Sequence, residues 1–523
     1  MSQAQSQAEA PASALPQNRN LYAVVCAVVI ALVLGSLDNL ILGVAMPTIV
    51  GELGGLDHLS WVVTAYTLTT AVSTPVWGKI GDMYGRKGVF LSAITIFLVG
   101  SAMSGMAQSM WQLICFRALQ GLGGGGLMVG ALAIISTIVP VREQGRFQGM
   151  ISAVMGASMI AGPLAGGVIT DHLGWRWCFY VNLPLGAVAL IMITSMLDLP
   201  KQSAKARIDY LGVALLTIAI SAVVLVTTWG GTEYGWVSGT ILGLMALAVV
   251  AIAAFLLAER RAAEPVLPLG LFRNANFSLA TVIGFLLGAM MFAVMTFLPL
   301  FQQAAQGASP TYAGLQLLPV FLAMMVANVV VGRVITSSGK YKVFVIGGGA
   351  LATAGLVLLS MLEPDTSRLF SSAAMALVGA GMGCLMQTTL IISMQSVEPK
   401  DLGVASSTAT LARTIGGSIG VSVMGALFAG RVSASMAERG GDAAAAVSGG
   451  AQLEADKLKR LPEAVRSAYE FAVSSGAHRV FLLGAALALV TFAVAWIIRE
   501  VPLRTTLGTP EPEAAPPAKS AKV

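Results

Sequence analysis

Gly78-Lys79-Ile80-Gly81-Asp82-Met83-Tyr84-Gly85-Arg86-Lys87 is a short polar stretch between two apolar runs. Its glycines and cations recur 254 residues later as Gly332, Arg333, Gly339 and Lys340. The same offset carries Arg146, Gly149, Ser152, Gly162 and Gly166 onto Lys400, Gly403, Ser406, Gly416 and Gly420. The chain has 58 glycines, so isolated glycine matches arise by chance. Two distant blocks that share one offset and bring matching cations with them point instead to a duplication. Six apolar runs precede Lys201 and six follow Phe277, which leaves a pair near Ile218 and Leu247 inserted between two equivalent halves.

The composition says what surrounds those runs. Of 523 residues, 56% are hydrophobic and 11% charged, against roughly a quarter charged in a soluble domain. Stretches such as 21–37 and 237–258 lack the polar surface needed to face water, and lipid has to solvate them. Runs long enough to cross ~30 Å of hydrocarbon centre near Ala31, Leu68, Phe97, Gly125, Met159, Ala189, Ile218, Leu247, Gly288, Ala323, Ala352, Ala380, Gly417 and Ala488. The expectation is an all-α membrane protein with fourteen transmembrane helices, built as two six-helix halves with two helices inserted between them. Parallel halves related by an axis along the membrane normal are a transporter architecture, with the substrate path between them.

The domain reading follows. Residues 1–20 form a polar tail, 21–200 the first half, 201–276 the inserted pair with its linker, 277–504 the second half, and 505–523 a Pro/Ala/Glu/Lys tail too polar to order itself. The first apolar run exceeds a signal-peptide length and has no small-residue cleavage site, so it reads as a retained helix. The segment 430–477 reads as a long outer loop with a surface helix near 457–471. With the N-terminus inside, the short inner loops carry 15 Lys and Arg and the short outer loops 2. Both tails are therefore expected in the cytoplasm of a cell-membrane protein.

The net charge of +6 encodes this topology and forms no nucleic-acid stripe. Cys26, Cys115, Cys178 and Cys384 sit in or beside apolar runs without a nearby His, so no metal is expected. Gly78-Lys79 and Gly339-Lys340 are followed by Ile80 and Tyr341 rather than Ser or Thr, so no phosphate loop and no nucleotide are implied. No nucleophile–base pair or sizeable soluble domain suggests an enzyme, and no cofactor is expected.

Asp38 is the one carboxylate deep inside an apolar run, where an ionisable group is costly enough to imply function. Counted from the outer face, Asp38 on the first helix and Arg117 on the fourth lie at about the same depth, ~10 Å at 1.5 Å per residue. They are expected to pair. A registry ion pair is one reading. A proton carrier, poised between burial that raises its pKa and a guanidinium that lowers it, is the one the depth favours. Arg413 is also at membrane depth without an acid nearby. Gln387, backbone carbonyls or snorkelling toward the cytoplasm are open to it. Gly121, Gly125, Gly126 and Gly130, and the pair Gly162 and Gly166, have the spacing that lets helices approach closely. Trp61, Tyr66, Gln120, Met290, Phe292, Gln316 and Gln387 are candidates to line a substrate cavity, Met for its adaptability and the amides because they need partners in hydrocarbon.

These residues resemble the fourteen-spanner drug:proton antiporter-2 family of the major facilitator superfamily, also called EmrB/QacA-type. The likeness rests on Leu37-Asp38-Asn39-Leu40-Ile41-Leu42-Gly43-Val44-Ala45-Met46-Pro47, on the stretch 78–87, on Arg117-Ala118-Leu119-Gln120-Gly121, and on Gly162-Pro163-Leu164-Ala165-Gly166-Gly167 preceded by Gly156. Trp175-Arg176-Trp177 with Asn182-Leu183-Pro184 is also similar. Leu40 stands where the family usually has Thr. The resemblance implies the major facilitator fold and a proton-coupled exporter of small amphipathic compounds that works as a monomer in the bilayer. It further implies a cytoplasmic gate at Gly78, Asp82, Gly85, Arg86 and Lys87, and a fifth-helix gate at Gly156, Gly162, Pro163, Gly166 and Gly167 that goes with export. A dedicated exporter of one metabolite, peptide or lipid would share every motif; a proton-coupled importer would not be expected to carry Gly162-Pro163 here.

Overall fold

The computed structural model describes residues 18–53, 59–139, scattered positions from 147 to 170, 172–199, 209–231, 234–262, 265–308, 310–398, 401–439 and 463–501. In the first half, α1 spans Asn18–Leu53, α2 Leu59–Tyr84, α3 Arg86–Gly105, α4 Met110–Ile138, α5 Trp177–Tyr180 and α6 Asn182–Met196. The inserted pair is α7, Tyr210–Trp229, and α8, Gly239–Glu259. In the second half, α9 spans Ala275–Ala304, α10 Pro310–Gln316, α11 Leu318–Ser338, α12 Lys342–Ser360, α13 Arg368–Gln395, α14 Leu402–Arg439 and α15 Glu463–Ile497.

Helices are what apolar sequence must form in lipid, because only an internal ladder satisfies every backbone N–H and C=O there. Where spans begin, short polar residues supply the missing acceptors. Ser109 accepts from the Gln112 amide, Asp209 from Gly212, Ser238 from Ile241 and Ser367 from Phe370. Among the described residues, twelve helices are long and apolar enough to cross a membrane. The 26-residue α2 is a further long helix, and its Thr and Ser side chains turn toward α4. The expected span centred on Met159 falls largely outside the described residues, with Gly156 and Pro163 among those not described, so the count of fourteen is not closed here.

The duplication is visible in the packing. In the first half α4 lies against α2 and α3; in the second, α13 lies against α11 and α12. Gly125 of α4 and Gly379 of α13 are related by the 254-residue offset. A methyl group on either would fall 2.6 Å from the Thr70 carbonyl oxygen or 2.1 Å from that of Val320, so both helix pairs depend on glycine for close approach. Gly121 also faces α2, whereas Gly126 and Gly130 face α3 through Ala93 and Phe90. Gly85 and Gly339, matched by the same offset, both take positive φ, 97° and 70°, where their halves turn between helices. Lys87 then donates to the Thr194 carbonyl at 2.9 Å, and Lys342 to that of Trp496 at 2.9 Å, so each half ties its third helix to the end of its last.

Two departures from expectation concern lengths. The segment read as an outer loop is helical at both described flanks: residues 430–439 continue α14 and 463–477 open α15. Phe428 and Val432 pack on Gly476, Arg431 donates to Ser475 Oγ at 2.8 Å, and Tyr469 is buried, so this end of the bundle has a core of its own. Similarly, α1 runs on to Leu53, eight residues past the outer boundary assigned near Ala45. Its terminal Glu52 accepts from Trp175 Nε1 at 2.7 Å and from Arg176 at 2.5 Å. That contact holds the Glu52 carboxyl below its ordinary range, chiefly through Arg176. The motif Trp175-Arg176-Trp177 therefore has a physical use: it ties the far end of α1 to the start of the sixth span.

Candidate functional site

Three helices meet at one carboxylate, α1, α4 and α6. Asp38, from α1, is 2% exposed and Arg117, from α4, is fully buried. An Arg117 terminal nitrogen donates to Asp38 Oδ2. Gln120, one turn along α4, donates to Asp38 Oδ1 at 2.8 Å and accepts from Arg117 at 2.8 Å. Asn182, at the start of α6, donates to the same Oδ1 at 2.9 Å and to Ser101 Oγ of α3 at 3.0 Å. Ser101 in turn donates to the Phe179 carbonyl at 2.9 Å. The guanidinium lies over the Tyr66 ring, 4.1 Å from its centroid, a cation–π contact that supports the charge where water is absent.

The expected pairing of Asp38 with Arg117 is thus present, and Gln120 and Tyr66, singled out as cavity residues, sit on this pair. Asn182 and Ser101 complete the network. Neither carries a charge, so neither stands out in an apolar run, although an Asn in hydrocarbon needs a partner. The network has no copy in the second half: the 254-residue offset places Phe292, Ser371 and Ala374 opposite Asp38, Arg117 and Gln120.

The fifth-span glycines approach this site from α1. A methyl group on Gly162 would lie 2.6 Å from Leu40 Cβ, and one on Gly166 2.8 Å from the Ile41 carbonyl oxygen. Leu40, the position where the family usually has Thr, packs on Gly162.

At one end of the bundle the two halves meet through the stretch 78–87. Asp82 Oδ1 accepts from Arg86 at 2.9 Å, and Oδ2 accepts from the Val404 amide in the first turn of α14 at 2.9 Å. A methyl on Gly78 would strike Ser407 Cβ at 2.7 Å and the Gly403 carbonyl oxygen at 2.9 Å. Arg86 also donates to Thr137 and to the Ala133 carbonyl at the end of α4. Carboxylate, glycine and cation together hold α2 shut against α14.

The remaining candidates are dispersed. Trp61 stacks edge-on against Trp229 of α7, centroids 4.9 Å apart. Met290 is buried in the second-half core, Phe292 covers Gly417, and Gln316 is half-buried at the end of α10. Gln387 is 1% exposed, and its Oε1 has no donor among the described residues. It lines a small cavity with Leu132, Ile135 and Ser136 of α4 and Met394 of α13, on the seam between halves. Arg413 is half-buried on α14 and makes no hydrogen bond or ion pair among the described residues.

A duplicated helical bundle with a sealed charge network in one half and a polar latch across its seam defines a membrane transporter. Residues 28–421 match the family model described as Major Facilitator Superfamily, and the chain belongs to that superfamily. It is 38% identical over 403 residues to the multidrug transporter protein MdtP of Bacillus subtilis, covering 77% of this chain and 74% of that protein. It is 34% identical to multidrug resistance protein 3 of the same organism, covering 88% and 91%. An uncharacterised MFS-type transporter of Mycobacterium tuberculosis is 36% identical over 93% of this chain and 70% of its own length. Among solved structures, the human organic anion transporter MFSD10 aligns with a TM-score of 0.57 at 14% identity over 89% of this chain and 99% of that one, a likeness of fold.

Proposed function

We propose that the protein is a proton-coupled antiporter of the cytoplasmic membrane that exports small amphipathic or lipophilic compounds, with both termini in the cytoplasm. The observation that carries this reading is the Asp38 site: a carboxylate at membrane depth, 2% exposed, held by one cation and two amides from α4 and α6. Ionised, Asp38 is satisfied by three donors and locks α1, α4 and α6 together. Protonated, it no longer needs Arg117 and the lock is released. Proton uptake and helix rearrangement are therefore the same event, which an exchanger requires. Arg117 keeps its charge throughout, resting on Tyr66 and Gln120 when Asp38 lets go.

On this reading the contact of Asp82 with α14 closes the cytoplasmic side, with Arg86, Lys87 and Gly85 setting the latch. Gly162 and Gly166 let the fifth span slide on α1 beside Asp38, with Gly156, Pro163 and Gly167 as the rest of that gate. Substrate would pass the seam near Gln387, with Met290, Phe292, Gln316 and Trp61 as outlying contacts. The names of the bacterial relatives favour drug efflux. A second reading, export of one endogenous metabolite, is favoured by similarity to a transporter named for the acurin A biosynthesis cluster of Aspergillus aculeatus, 30% identical over 92% of this chain.

The test is efflux from inverted vesicles of a pump-deficient host, with and without a protonophore, for wild type and Asp38→Asn. Wild type is expected to export only with the proton gradient intact, and the variant to insert normally and export nothing against a gradient. Gradient-driven export by Asp38→Asn would end the proton-carrier role.

A further inference from the structure

The inserted pair carries a polar site that the transport reading leaves unused. Asp209 precedes α7 and Glu259 ends α8, so the antiparallel pair brings two carboxyls to one end. One oxygen of each is satisfied: Asp209 Oδ1 accepts from the Gly212 amide at 2.9 Å, and Glu259 Oε1 accepts from the Leu267 amide. The other two, Asp209 Oδ2 and Glu259 Oε2, are buried without a hydrogen-bond donor among the described residues. They point at the same spot. A methyl on Gly212 would lie 2.3 Å from Oδ2 and 2.9 Å from Oε2, and the two contacts together hold the oxygens within 5.2 Å of each other.

Glu259 is only 4% exposed. Two ionised carboxylates so close, away from water and with no donor on their facing oxygens, repel strongly. One proton taken up by the pair removes that repulsion, and side-chain rotation that closes the gap adds an O–H···O⁻ bond. Among the described residues, the other groups facing Glu259 are the Leu267 and Val266 amides and the Lys79 ammonium of α2. A singly protonated pair turns one negative charge toward Lys79, and a doubly ionised pair turns two.

The geometry points to a second proton-binding site, in which Asp209 and Glu259 share one proton taken from the aqueous face at that end of the inserted pair. The site does not depend on Asp38; only its assignment to the cytoplasmic side rests on the proposed topology. Its consequence lies in its neighbour. Lys79 adjoins Gly78, whose backbone packs on Gly403 and Ser407 of α14. Loss of the proton doubles the negative charge facing Lys79 and pulls on the segment that closes the seam. The inserted helices would thus report the pH on that side to the latch.

Infrared difference spectroscopy of the purified full-length protein in lipid nanodiscs tests this, with Asp38→Asn as background so that Asp38 contributes no band. A protonated-carboxyl stretch that moves on hydrogen–deuterium exchange is expected to persist near neutral pH, well above the range of exposed carboxyls, about 4. It should vanish in Glu259→Gln. Asp209→Asn keeps the helix cap, because an amide oxygen also accepts from Gly212, and removes the like charge; its band should titrate about one pH unit lower. Absence of any band persisting toward neutral pH, survival of the full band in Glu259→Gln, or an unmoved midpoint in Asp209→Asn would each overturn the proposal. Because none of these readouts needs transport, their failure is distinct from failure of the pump reading.

Discussion

Replacing Asp82 with Asn should loosen the seam between the halves by an amount that can be set in advance. In the wild type, Asp82 Oδ2 accepts from the Val404 amide at 2.9 Å, at the N-terminus of a 38-residue helix. A charge-assisted hydrogen bond contributes about 1.5–3 kcal/mol, and a carboxylate at a helix N-terminus about 0.3–1. Asn keeps a neutral acceptor, so roughly half of the total is lost, about 1.4 kcal/mol, or tenfold in the ratio of open to closed seam. Ser407 is the reporter: it is 2% exposed and packs against Gly78. A cysteine there, in a chain freed of Cys26, Cys115, Cys178 and Cys384, should react with a water-soluble maleimide about tenfold faster in Asp82→Asn, since labelling follows the open population. Equal labelling rates, with both proteins folded, would refute the reasoning, because the charge would then contribute nothing to closure.

Arg117→Ala should impair both stability and efflux more than Arg117→Lys. Removing one partner of a buried pair costs about 3–5 kcal/mol, while Lys keeps a cation beside Asp38; thermal unfolding alongside efflux checks this, and wild-type behaviour of Arg117→Ala would contradict the site. Gly162→Leu should insert but not transport, as its Cβ would press within 2.6 Å of Leu40; efflux at normal expression would remove the fifth-span gate. Mono-quaternary ammonium compounds should be exported better than matched bis-quaternary ones, because Asp38 is already held by three donors and Arg413 adds a further positive charge. Preferential resistance to the bis compounds would show that another acid reaches the path. Glu52 contributes through its ionised form, so its tie to Trp175 and Arg176 should persist above the ordinary carboxyl value of 4.5 and be lost only as pH falls through a lower one. Tryptophan emission compared between wild type and Glu52→Gln over an acid titration reads this directly.

What could be read from the sequence follows contrast. Asp38 and Arg117 are legible because a charge in an apolar run is conspicuous, and the helix geometry that makes them level is simple arithmetic. The α4 glycines are legible because their spacing has one mechanical use. Asn182 and Ser101, by contrast, act through hydrogen bonds that small neutral residues make in many places. Asp209 and Glu259 are hidden for the opposite reason: acids at the ends of spans are ordinary, and only the fold shows that two of them leave an oxygen each without a donor. The helical continuation of 430–439 and 463–477 escapes a hydropathy count because those turns are richer in polar residues and are held by packing on each other, Gly476 against Phe428 and Val432 and Arg431 on Ser475.

The inserted pair also changes how an oily molecule can arrive. Leu216, Ile220 and Val224 of α7 pack in one cluster with Ala71 of α2 and Leu411 of α14, and Ser422 of α14 donates to the Thr227 carbonyl at 2.7 Å. That is the flank where the two halves abut, so α7 seals a slit that would otherwise face the acyl chains. A compound partitioned into the bilayer cannot slip sideways between α2 and α14.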